Sequence, residues 1–252
     1  MTPETGLGLS EAPISQTAGA DKRADGRRAL APGIAACARF VLLGIVLYAA
    51  IDTALVFLRP QFSILHSAES DYGSLGSWDW LMDLNFLLRG LLSLAAVRAL
   101  TLAVRDRDAN PRLRHGLRLL SIWAIASALL AFFPDDPAGT PVHWHGVVHL
   151  VLAFAAFICV LVGALVVSHA LRSLPGWAPV AMPLTVLAWG ALIPLLLLGH
   201  SHLRRASLGG LWEKIFLAIE LVWLLVAALA AARYRDGTPW SGLRLGWRKD
   251  KR

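Results

Sequence analysis

The chain is short of charge and of cysteine. Only 16% of its 252 residues are charged, 56% are hydrophobic, and there are two cysteines. A soluble domain carries roughly 25% charged residues, so this shortage excludes disorder, a collagen-like fibre and an ordinary soluble enzyme. Two cysteines, Cys37 and Cys159, give no disulfide framework. The sequence has no glycine-rich phosphate loop, no CxxC pair and no GxSxG elbow, which removes the motif-bearing nucleotide-binding, thiol-redox and serine-hydrolase classes. Lysine is scarce, with four against twenty arginines. That bias, with abundant alanine, points to a GC-rich bacterial genome.

Long apolar runs take the place of charge. Six occur, at Phe40–Leu58, Trp80–Val104, Leu117–Phe133, Val147–Val167, Val180–Gly199 and Leu211–Ala232, each of 17 to 25 residues. A spanning helix needs about 20. The runs are continuous rather than alternating, so they predict helices and not barrel strands. The expected fold is all-α, a polytopic membrane protein built as a six-transmembrane-helix bundle over residues 34–235. Residues 1–33, rich in Ala, Gly, Thr, Ser and Pro, predict a disordered tail, and residues 236–252 a basic one. The first apolar run starts too far from the N-terminus, and is too long, for a signal peptide. Pro183 and Pro194 predict a kink in the fifth helix.

Charge placement predicts orientation. With six spans and both ends in the cytoplasm, the inner side carries nineteen of the basic residues, among them Lys22, Arg23, Arg105, Arg112, Arg172 and the cluster from Arg233 to Arg252. The outer side carries Arg59, Arg204 and Arg205, while Arg89 and Lys214 lie within spans. The positive-inside rule therefore places the protein in the bacterial cytoplasmic (inner) membrane with both termini cytoplasmic. The basic tails read as topogenic segments attracted to anionic membrane lipids, not as nucleic-acid binders.

On this topology the outer side gathers His66, His143, His145, His149, His200 and His202 with Glu69, Asp71, Asp79, Asp135 and Asp136. Several ionisable groups enter the membrane from the same side. At about 1.5 Å per residue, Asp52 lies about 9 Å below its helix end, and Arg89 and Glu220 each about 14 Å below theirs. Intramembrane charges face the bundle interior and pair, so matched depth makes Arg89 and Glu220 a candidate ion pair, with Asp52 as a second partner. Asn85 shares a helix face with Arg89. Such a pair serves helix packing as readily as chemistry.

The densest polar stretch is Phe133-Pro134-Asp135-Asp136-Pro137, followed by His143-Trp144-His145-Gly146 and His149. His145 and His149 are four apart at a helix start. They are candidate ligands for a divalent metal such as zinc, with an Asp and with His200 or His202 arriving from the fifth span. His149 beside Asp136 is equally a candidate general base, with Asp71 assisting. An HxxxH pair without the Glu of HExxH is weakly specific, and interfacial His and Trp also act as anchors.

These residues resemble the bacterial and archaeal membrane proteins grouped as domain of unknown function 998. The likeness rests on Phe133-Pro134-Asp135-Asp136-Pro137 and Gly146-Val147-Val148-His149. Weaker matches are Asp71-Tyr72-Gly73 with Trp78, then Asn85-Phe86 and Gly90, and Gly210 with Glu213-Lys214 and Trp223. It covers roughly residues 40–235 and singles out Asp136 and His149. His143, His145, His200 and His202 fall outside the pattern, and the family brings no established activity.

Three functions are compatible with these residues. The first is an outward-facing Asp/His pocket lined by Asp136, His149, Asp71, Asn85, Arg89, Glu220, Asp52 and Glu213. It binds or acts on a lipid or small ligand and, if catalytic, is a hydrolase or lipid-modifying enzyme. The second is a non-enzymatic bundle that binds a partner. The third is a proton-coupled transporter using Asp52, Arg89 and Glu220.

Overall fold

A computed structural model of the protein describes residues 14–104, 110–136, 139–204 and 208–234, with the backbone alone for 14–28 and 202–204. Six helices follow one another: α1 (Ile14–Leu58), α2 (Asp79–Val104), α3 (Pro111–Leu129), α4 (Trp144–Leu171), α5 (Ala178–Arg204) and α6 (Gly209–Tyr234). There is no strand among the described residues. Each helix contains a stretch long and apolar enough to cross a membrane, so the fold is the six-helix membrane bundle that the apolar runs predict.

The helices are longer than the runs that announce them. α1 extends back to Ile14, through residues whose composition reads as a disordered tail. Continuing a helix costs far less than starting one, and the Ala, Arg, Lys and Gln of this stretch are good helix formers. The tail 236–252 lies outside the described residues. α3 begins six residues before its apolar run, because Asn110 caps it: its side chain accepts the N–H groups of Arg112 and Leu113, and Pro111 occupies the first turn. α5 runs unbroken through Pro183 and Pro194.

Consecutive helices pack as neighbours, α6 closes the ring against α1, and α2 also touches α6. This makes α2 and α6 the inner pair. Their apolar windows are 56% buried, against 28% for α1 and 33% for α4. The outer helices turn large apolar side chains outward, such as Leu43, Phe57, Phe154, Trp189 and Leu196, as a lipid-facing surface does. Small residues bring neighbours close. A Cβ on Gly90 would stand 2.6 Å from that of Ala128 across the α2–α3 contact.

At one end of the bundle, the loop end, α1, α3 and α5 finish and α2, α4 and α6 begin. At the other, the arginine end, α2 and α4 finish and α3 and α5 begin. There the Tyr234 hydroxyl donates to the Pro175 carbonyl at 3.1 Å, tying the last helix to the α4–α5 turn.

Candidate functional site

The α1–α2 connection shapes the loop end. It folds inward rather than over the surface: Arg59, Glu69, Tyr72 and Ser74 are all buried. Arg59 gathers the segment, its Nη1 donating to the carbonyls of Tyr72 at 2.6 Å and Ser74 at 2.7 Å. The start of α6 holds it from the other side. Leu211 N–H donates to Leu65 O at 3.0 Å and Lys214 Nζ to Ser67 O at 2.9 Å. Gly210 is required at this contact, since a Cβ there would run into the Ser67 carbonyl.

This inward fold carries Glu69 between α1, α2 and α6. The Tyr48 hydroxyl donates to its Oε1, and Arg89 Nη1 lies 3.7 Å from its Oε2. The Glu69 backbone N–H donates to Glu213 Oε2 at 3.3 Å. Glu69, Arg89, Glu213 and Glu220 are all buried, and a buried charge persists only when opposite charge and hydrogen bonds compensate it. Glu69 supplies that compensation for Arg89.

The pairing read from helix depth is thereby corrected. Arg89 forms its direct ion pair with Glu69, not with Glu220 or Asp52. Counting depth along helices left out a connection that descends between them. Glu220 and half-buried Asp52 stay within electrostatic reach of Arg89. Neither carboxylate oxygen of Glu220 has a hydrogen-bond partner, nor does either amide atom of Asn85, nor Arg89 Nε. Glu220 lines a narrow cavity beside Leu161, Leu187 and Trp223 between α4, α5 and α6.

The second polar group is the turn that leads into α4. The backbone N–H of His143 donates to Asp136 Oδ2 at 2.6 Å, and its Nδ1 lies 2.9 Å from Oδ1. These contacts, the backbone N–H first, hold the Asp136 carboxyl below the usual carboxylate range. The carboxylate occupies the space where Gly146 would carry a Cβ, so the glycine of the Gly-x-x-His pattern is explained by room for Asp136. The histidine three residues on is explained too. His149 Nδ1 lies 2.7 Å from the Phe133 carbonyl. A carbonyl only accepts, so the ring proton sits on Nδ1. Nε2 then faces Asp135 Oδ2 at 4.0 Å.

The geometry thus divides the predicted site. Asp135, not Asp136, stands against His149, while Asp136 engages His143, with His145 Nδ1 at 4.0 Å. A hydrogen bond between the two loops runs from Ser70 Oγ to Asp135 Oδ2 at 2.5 Å. Its neighbour Asp71 accepts the N–H of Ala68 at 2.8 Å. Phe86 lies between the two polar groups: the Arg89 guanidinium sits 5.2 Å from its ring centroid, and His149 meets it edge-on at 5.8 Å. Sequence reasoning gave no role to Glu69, Ser70 or Tyr48. The signal available was a connection of twenty residues between two spans, longer than a structureless loop in a compact domain usually is.

The metal set expected from the sequence does not assemble as drawn. Among the described residues the group able to hold an ion is Asp136, His143 and His145, whose ligand atoms lie within 4.8 Å of one another. His149 Nδ1 is bonded to Phe133 O and its Nε2 faces Asp135 rather than the Asp136 group, and His200 is exposed at the end of α5. The side chain of His202 lies outside the described residues.

Fold and site define a polytopic α-helical membrane protein with a buried charged centre beside a histidine-rich turn. The chain belongs to the family described as "Protein of unknown function (DUF998)", which matches residues 42–230 and so takes in all six helices. No curated protein and no solved structure matches the chain.

Proposed function

We propose that the protein is a multi-pass bundle of the bacterial cytoplasmic membrane whose loop end faces outward. In this reading the outward polar centre holds the headgroup of a lipid or a small polar ligand. The basic residues concentrated at the arginine end and the two tails support that orientation and cytoplasmic termini. The observation that carries the ligand reading is the set of buried polar atoms without partners: both amide atoms of Asn85, both carboxylate oxygens of Glu220 and Nε of Arg89. Buried polar groups are ordinarily hydrogen-bonded. A guest with hydroxyl or ammonium donors and an anionic or carbonyl acceptor matches this mixture of donors and acceptors.

Native mass spectrometry of the protein released from gentle detergent tests the reading. Wild type is expected to retain a non-protein molecule that Glu220→Gln and Asn85→Leu lose while keeping helicity and melting temperature. A wild-type protein that carries no such molecule, and whose melting temperature responds to no lipid extract, removes it.

The Asp135–His149 contact supports a second reading, in which His149 Nε2 exchanges protons with a substrate entering beside Ser70 and Asp135, as in a membrane-embedded hydrolase. Loss of lipid turnover in His149→Gln with unchanged stability distinguishes catalysis from binding alone.

A further inference from the structure

We propose that Asp136, His143 and His145 form a divalent transition-metal site, of the kind that takes zinc, at the mouth of the α3–α4 turn. It is separate from the buried centre and does not depend on a guest there.

The donor set comes first. Two imidazoles and one carboxylate present ligand atoms within 4.8 Å of one another. Imidazole nitrogen with a single carboxylate selects zinc, nickel or copper over magnesium or calcium, which want oxygen ligands. The closest pair, His143 Nδ1 and Asp136 Oδ1, is 2.9 Å apart. Zinc bonds of about 2.0–2.1 Å at tetrahedral angles put ligand atoms about 3.3 Å apart, so this pair opens slightly and the third ligand moves in.

The site is also built. Asp136 cannot swing away freely, because the backbone N–H of His143 holds its Oδ2 at 2.6 Å. Gly146 leaves the space that the carboxylate fills. The two rings are stacked, with centroids 5.2 Å apart and planes inclined by 10°, so their edges are presented side by side. His145 Nδ1 is both the nitrogen 4.0 Å from Asp136 Oδ1 and the one 3.0 Å from the Pro134 carbonyl, so binding requires this ring to turn, either releasing Nδ1 from the carbonyl or presenting Nε2 with the carbonyl kept as its outer support.

The surroundings favour this place over the others. The charged centre around Glu69 holds two cations already, Arg89 and Lys214, which repel a metal ion. At the turn no Arg or Lys is bonded to the three residues among the described contacts. The His143 side chain is 56% exposed, so ions enter from solvent, and three protein ligands leave a coordination position for water or an exchangeable group.

The test uses the full-length, untagged protein in detergent, stripped with a chelator and dialysed against zinc, or against cobalt as a coloured substitute. One zinc per chain and a visible cobalt d–d spectrum are expected, with no retention of magnesium. His143→Ala/His145→Ala is expected to weaken zinc binding more than about tenfold, since loss of even an outer partner costs that much. It should also lose the zinc-induced rise in melting temperature while its metal-free melting temperature stays within a few degrees of wild type. Asp136→Asn should weaken binding in the same direction, and His200→Ala/His202→Ala should leave it unchanged. Wild type without stoichiometric zinc, equal binding by the His143/His145 variant, or loss in the His200/His202 variant overturns the assignment. None of these readouts involves Asn85 or Glu220, so this site and the buried ligand site fail or hold separately.

Discussion

The charged centre around Glu69 and the histidine turn before α4 meet through Ser70 and Phe86, yet opposite means hold them together. The turn is local. Every contact between Phe133 and His149 spans at most 16 residues, and most polar atoms there have a backbone partner. The centre is assembled from afar: Tyr48 is 21 positions from Glu69, and Glu69 is 144 from Glu213. Its members are buried and several lack partners, whereas His143 is open to solvent. Local closure tolerates water and costs little to open. Long-range closure in a low-dielectric interior depends on every partner being present. The turn should therefore respond to perturbation in small steps and the centre in large ones.

The largest effect is expected from Glu69→Ala. It strands the Arg89 guanidinium, and removing one partner of a buried pair costs about 3–5 kcal/mol. Thermal unfolding in detergent measures it. Glu69→Leu with Arg89→Met should recover most of the loss. A cost below about 1 kcal/mol for Glu69→Ala would mean that this pair does not organise the centre.

Tyr48→Phe comes next. It deletes one hydrogen bond to a charged acceptor, worth about 1.5–3 kcal/mol, and leaves shape unchanged. If the tyrosine serves only as packing, its melting temperature stays at the wild-type value.

In the turn, Gly146→Ala places a methyl group against the Asp136 carboxylate and should cost about 1–3 kcal/mol as overpacking. Asp136→Ala removes the obstacle, so the double variant should be more stable than the sum of the single losses. Strict additivity would place the two residues out of contact.

The smallest effect is a pH dependence. The Asp136 carboxyl is held below its ordinary value of 3.8 in the folded protein. Its contribution is complete above that value and disappears as pH falls through the lower folded value. Protection of the His143 amide, its exchange rate divided into the intrinsic rate at each pH, should fall only in that acidic window and be flat in Asp136→Asn. Loss of protection already at neutral pH would point to a different titrating group.

The same contrast explains what could be read from the sequence. Six spans were legible because each run is close to the length of about 20 residues that a spanning helix needs, and only their ends moved. Asp136, Gly146 and His149 were legible as a pattern because the contacts that hold them are local. What the pattern could not convey was which aspartate meets which histidine: adjacent residues 135 and 136 turn to opposite partners, a matter of backbone direction in a short turn. Glu69 was not legible as the partner of Arg89. Helical depth locates residues on helices, and a connection that folds back between them follows no such rule. α1 was lengthened for a related reason, since composition describes an isolated segment and not one propagated from a stable helix.

The fastening of Ser67 and Leu65 to the first turn of α6 also bears on synthesis. The ribosome delivers Glu69 and Arg89 well before residues 209–214. A chain emerging in order has its first five helices in place while the segment 59–78 still lacks the contacts to Leu211, Lys214 and Glu213 that seat it. Closure of the core is therefore among the last steps of biogenesis. A nascent chain that stops short of α6 lacks the contacts that seat the segment carrying Glu69 between its first two helices.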